Sequence, residues 1–126
     1  MKFLIVDDDI VQASLLKELV DVFECDHVSN GDEAFIQFKR AQHKEKPYDL
    51  IFMDLMMPGF DGYMVIDAIR SYENQHDLQP CKIIVISGKS IFEGLTPRLR
   101  LQCDDYLTKP LEPTKILHSL ENLALI

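Results

Sequence analysis

Apolar runs and amphipathic stretches alternate along the chain. "KFLIV" is a short apolar run of the kind a buried strand presents. "VQASLLKELVDVF" then sets Leu15, Leu16, Leu19, Val20 and Phe23 on one helical face. "CDHVS" reads as a weak strand. Asn30 and Glu33 have capping-box spacing ahead of a helix carrying Ala34, Phe35 and Phe38. "DLIFM" is the next strand, and Asp61 caps a helix bearing Val65, Ile66 and Ile69. "KIIVI" is β-branched and apolar on both faces, and "DYL" is a short fifth strand. The last helix starts near Pro113 and turns Ile116, Leu117, Leu120 and Leu123 inward.

Between the last two strands, "SIFEGLTPRLRLQ" is the least regular segment. Gly94 and Pro97 disfavour one long helix, and Thr96-Pro97 suits a short helix running through Leu101. Five strands alternating with five helices predict an α/β fold, a parallel sheet covered on both faces. Burial on two sides accounts for strands that read as unbroken apolar runs.

In such a sheet, ligands bind beyond the carboxyl ends of the strands. Those ends are polar here. Asp7, Asp8 and Asp9 follow the first strand, Asp54 the third, Ser87 the fourth, and Lys109-Pro110 the fifth. Gathered carboxylates repel, by about 4 kcal/mol for a pair at ~4 Å and an effective dielectric near 20. The cluster therefore needs a cation, a shared proton or water. Lys109 brings one positive charge, and magnesium suits a few carboxylates with water and a phosphate oxygen. A carboxylate beside such an ion, a lysine and a hydroxyl is equipped to attack phosphorus, becoming an acyl phosphate. Asp54 ends its strand in "IFMDLMMPGFDG" in position to do so.

Composition narrows the setting. The 126 residues suit one domain, and 47% hydrophobic residues suit an ordinary core. Acidic residues outnumber basic ones 21 to 13, for a formal charge of −8. That balance argues against this domain binding nucleic acid through its phosphates. Cys25, Cys81 and Cys103 lack metal or disulfide spacing and read as small hydrophobes. "MKFLIVDDD" is neither a signal peptide nor a membrane span, so a cytoplasmic setting without membrane contact is expected. His27, His43, His76 and His118 read as surface residues.

The pieces "FLIVDDD", "SNGDEAF", "DLIFMDLMMPGFDG", "IIVISG" and "DDYLTKP", in this order, resemble the receiver domain of two-component response regulators over residues 1–126. That resemblance implies a flavodoxin-like (βα)5 fold, doubly wound, with strand order 2-1-3-4-5. It implies Asp54 as phosphoacceptor, and Asp7, Asp8, Asp54 and the Met56 backbone carbonyl as ligands of Mg2+. Ser87 and Lys109 contact the phosphoryl group, Tyr106 is the aromatic that moves with Ser87, and the Lys109–Pro110 peptide is cis. The implied phosphodonor is a histidine kinase or histidine phosphotransferase, and the implied role is a phosphorelay switch rather than a turnover enzyme. Gly88, Pro97, Gln102-Cys103 and the long "AQHKEKPYD" segment depart from the family pattern. A rival reading takes "FLIVDDDIV" as the Asp-x-Asp-x-Val signature of haloacid dehalogenase-type phosphohydrolases, with Asp7 as nucleophile and Asp9 as general acid-base. A third treats the chain as an interaction module that never uses phosphate.

Overall fold

The computed structural model describes residues 1–126. Its elements are β1 (Lys2–Val6), α1 (Ile10–Leu19), β2 (Glu24–Val28), α2 (Gly31–His43), β3 (Leu50–Asp54) and α3 (Gly62–Gln75). They continue with β4 (Lys82–Ser87), α4 (Ile91–Gly94), α5 (Pro97–Gln102), β5 (Asp105–Thr108) and α6 (Pro113–Asn122). All strand pairs are parallel, as the sequence pattern predicts, and they lie in the order β2-β1-β3-β4-β5 that the resemblance implies. No helix is long and apolar enough to cross a membrane.

The alternation of side chains along each strand divides the interior into two cores. On one face Leu4, Val6, Ile51, Met53, Ile83 and Val85 meet Phe38 of α2, Val65, Ile66 and Ile69 of α3, and Leu99 of α5. On the other, Phe3, Ile5, Leu50, Phe52, Ile84 and Ile86 meet Ala13 and Leu16 of α1 and Ile116 and Leu120 of α6. The central strand β3 is buried along its whole length, Asp54 included. The edge strand β2 is half-buried to exposed throughout and carries Glu24, Asp26 and His27.

Local chemistry starts the helices where the sequence places them. Asp9 caps α1 by accepting from the N–H groups of Val11 and Gln12. Asn30 Oδ1 accepts from Glu33 N–H at 2.9 Å, and Asp61 Oδ1 accepts from Met64 N–H at 3.1 Å. Thr96 caps α5, with Pro97 in its first turn.

Three helical expectations need correction. The fourth helical layer is split in two, because Gly94 ends α4 and Pro97 begins α5, giving six helices in place of five. Helix α1 stops at Leu19 instead of reaching Phe23. Leu15 and Leu117 face solvent, since their helices bury narrower stripes than the full apolar pattern suggests. All four histidines are exposed, and all three cysteines are free, with only Cys81 fully buried.

One polar network crosses these layers. Arg70 of α3 donates to Glu73 Oε1 at 2.8 Å, to the Cys81 carbonyl at 2.8 Å and to the Gln102 carbonyl at 2.9 Å. It also approaches Asp104 at 3.4 Å. Glu73 is buried and accepts from Cys81 N–H at 2.8 Å. Asp67 of α3 accepts from Arg98 and Gln102, fastening the short α5 to the same helix.

Candidate functional site

Parallel pairing brings the carboxyl ends of β1, β3, β4 and β5 to one rim. Carboxylate oxygens of Asp7, Asp8 and Asp54 lie within 4.8 Å of one another there. Asp7 and Asp54 are buried, while Asp8 is exposed. Lys109, just past β5, sets its Nζ 3.3 Å from Asp7 Oδ2 and 3.6 Å from Asp54 Oδ2. The Lys109–Pro110 peptide is cis, and Lys109 N–H donates to the Ser87 carbonyl at 2.7 Å.

Backbone donors fix the acids. Asp9 N–H donates to Asp7 Oδ1 at 2.8 Å, and Met56 N–H donates to Asp54 Oδ1 at 3.1 Å. Met56 N–H thus occupies one oxygen of Asp54 and leaves the other facing Lys109. The sharp exit from β3 is held by a close approach: Gly62 donates its N–H to the Leu55 carbonyl at 3.2 Å. A Cβ at Gly62 would collide with the Asp54 carbonyl and sit 2.7 Å from Leu55 Cα. Ser87 is fully buried, and its Oγ accepts from Lys89 N–H at 3.1 Å, which leaves its hydroxyl proton to donate. Tyr106 of β5 lies inward, its hydroxyl donating to the Lys89 carbonyl at 3.0 Å.

Burial, more than any neighbour, pushes the Asp54 carboxyl up to about 6. The Met56 N–H and Lys109 work against that rise, and the charges of Asp7 and Asp8 add to it. A folded state that favours the protonated acid binds more protons than the unfolded chain between about pH 4 and pH 6. Stability from this group is therefore lost as pH rises through that window. In metal-free buffer, urea unfolding is expected to show a loss on the order of 1 kcal/mol between pH 4 and pH 7 that Asp54→Asn removes, allowing for the solvent that reaches this rim. Equal pH slopes for the two proteins would contradict it.

The donor set fits a hard divalent cation. Three carboxylates against one lysine leave the rim net negative, and its ligand atoms are all oxygen. Asp7, Asp8, Asp54, Ser87, Lys109 and Tyr106 thus gather at the rim or directly behind it. Asp9 does not join them, because its side chain is engaged with the first turn of α1. One contact has no signal in the sequence spacing: His27 Nε2 lies 2.9 Å from the Asp7 carbonyl oxygen. It follows from the β1–β2 register, which pairs Val6 with Val28.

Taken with this geometry, a match of residues 3–121 to the response regulator receiver domain family model places the chain in that family. It is 33% identical over 118 residues to the transcriptional regulatory protein ResD of Bacillus subtilis, covering 92% of this chain and 45% of ResD. With the sensor histidine kinase GacS of Pseudomonas protegens it shares 29% identity over 115 residues, 91% of this chain and 12% of GacS. The chain therefore spans less than half the length of these relatives. Among solved structures it is similar to the response regulator TrrA of Thermotoga maritima in complex with Mg2+ and BeF (TM-score 0.77, 27% identity, 97% of both chains). The fold also matches the CheX–CheY–BeF3–Mg2+ complex of Borrelia burgdorferi (TM-score 0.83, 23% identity, 98% of this chain and 89% of that one). The chain is a receiver domain of two-component signalling. The phosphohydrolase alternative built on Asp7 and Asp9 has no support from the family match or from Asp9, which serves as a helix cap.

Proposed function

We propose that Asp54 accepts a phosphoryl group from the phosphohistidine of a histidine kinase or histidine phosphotransferase, and that the resulting acyl phosphate changes the surface this domain offers to other proteins. The observation that carries the reading is the Lys109 ammonium seated between the Asp7 and Asp54 carboxylates, beside the three-acid cluster. Asp54 supplies the attacking oxygen, and the P–N bond to the donor imidazole breaks as the P–O bond forms. Lys109 neutralises charge on the equatorial phosphoryl oxygens, and Ser87 donates its hydroxyl proton to one of them. Asp7, Asp8, Asp54 and the Met56 carbonyl would hold magnesium, which supplies further charge neutralisation when bound. Drawing Ser87 toward the phosphoryl group disturbs the Ser87–Lys89 contact, and Tyr106 reads that change through the Lys89 carbonyl.

The domain assists its own phosphorylation and dephosphorylation, but its output is a conformation rather than a released product. Titration with Mg2+ and then with beryllofluoride tests the reading by backbone NMR. Resonances of Asp7, Asp8, Asp54 and Met56 are expected to move with the metal, and those of Ser87, Lys89, Tyr106 and Lys109 with beryllofluoride. Spectra unchanged by both additions would overturn it.

A further inference from the structure

The ring of Tyr106 occupies space that exists because residue 94 has no side chain. A Cβ on Gly94 would overlap the Tyr106 hydroxyl oxygen and lie 2.7 Å from Cζ and 3.2 Å from Lys89 Cβ. Backbone freedom does not explain this glycine: Gly59 is the only glycine with a positive φ. Glycine is common at helix C-termini because it can adopt a positive φ, which Gly94 does not use, so its place at the end of the one-turn α4 calls for a packing reason. Gly94 is itself buried, and its carbonyl accepts from the Tyr63 hydroxyl at 2.7 Å. Tyr63 follows Gly62, which packs directly on the backbone where β3 leaves Asp54. Lys89 Nζ lies 5.8 Å from the Tyr63 ring centroid.

We propose that Gly94 is the seat admitting the inward Tyr106 ring and that the Tyr63 hydroxyl anchors that seat, making both positioning residues of the switch. The inference rests on Tyr106 being the moving aromatic. It gives the rim a second mechanical link to Tyr106, from the Asp54 exit turn through Tyr63 to Gly94, separate from the one through Ser87 and Lys89. Any side chain at 94 competes with the ring for the space it now fills and pushes it out of that seat. The Tyr63–Gly94 bond holds the backbone that bounds this seat, so it bears on whether the ring stays in it.

The test uses the full chain labelled with 3-fluorotyrosine, whose four 19F resonances are assigned by single Tyr→Phe variants. In Gly94→Ala the Tyr106 resonance is expected to take on the H2O/D2O isotope shift of an exposed ring, while Tyr48 and Tyr72 keep theirs. In Tyr63→Phe it is expected to move part of the way. A Tyr106 resonance that stays buried in either variant overturns the role of that residue. Should Gly94→Ala fold poorly, the pair of backgrounds still decides. Gly94→Ala is expected to raise the unfolding constant at least tenfold more in the wild-type chain than in Tyr106→Ala, where the ring is gone. Equal increases overturn the seat. Beryllofluoride with Mg2+ separates the two claims: in Tyr63→Phe, where the ring is partly displaced, beryllofluoride is expected to restore the buried shift, and a Tyr106 resonance that Gly94→Ala moves but beryllofluoride leaves displaced in Tyr63→Phe supports the seat and sinks the switch reading alone.

Discussion

Asp54→Asn is expected to abolish stable phosphorylation. Asparagine keeps the shape and the hydrogen bond from Met56 N–H but lacks the anionic oxygen that attacks phosphorus. Incorporation of label from a phosphorylated histidine kinase or from acetyl phosphate with Mg2+ is expected to fall by about 100-fold or more, the scale on which loss of a covalent nucleophile registers. Hydroxylamine-sensitive label persisting on the variant and mapping to Asp7 would move the nucleophile to the first strand. Folding does not confound the comparison. Asparagine removes a buried charge whose ionised form is disfavoured, so the variant remains at least as stable as the parent near neutral pH without metal.

The second large effect lies at the far side of α3. Arg70→Ala is expected to destabilise the domain by about 3–5 kcal/mol, because it leaves Glu73 buried without its cation. Against a total of about 5–15 kcal/mol for a small domain, that is a large share. The guanidinium also serves the Cys81 and Gln102 carbonyls, so its loss strips partners from the start of β4 and the end of α5 together. The double variant Arg70→Met/Glu73→Leu is expected to cost less than Arg70→Ala, since no unpaired charge remains inside. Urea unfolding of the single and double variants measures both. A cost below about 1 kcal/mol for Arg70→Ala would mean that the pair behaves like an exposed one.

Much of this was legible in the sequence, for a physical reason. Parallel strands buried on both faces announce themselves as apolar runs, and the residues just beyond them must be where the chain meets ligand. Asp7, Asp8, Asp54, Ser87 and Lys109 stand at strand ends for that reason, and the structure gathers them at or just behind one rim. Helix starts at Asp9, Asn30 and Asp61 were legible because a cap is a local contact. The Arg70–Glu73 pair was not, since an Arg and a Glu three apart look like a solvated helix face until tertiary packing covers them. The same holds for Tyr63 and Gly94, distant in the chain and joined only when α3 and α4 pack. Leu15 and Leu117 mark the opposite error, where apolar spacing promised burial and the neighbouring layer did not extend far enough to provide it.

The polar character of the edge strand β2 bears on how the molecule behaves at high concentration. A sheet margin with open N–H and C=O groups invites a strand from another molecule to zip onto it and seed fibrils. Glu24 and Asp26 place negative charge along that margin, on a chain already net acidic, so a like neighbour approaching edge to edge meets repulsion. The most apolar strands, β1, β3 and β4, lie in the shielded middle of the sheet, away from that margin.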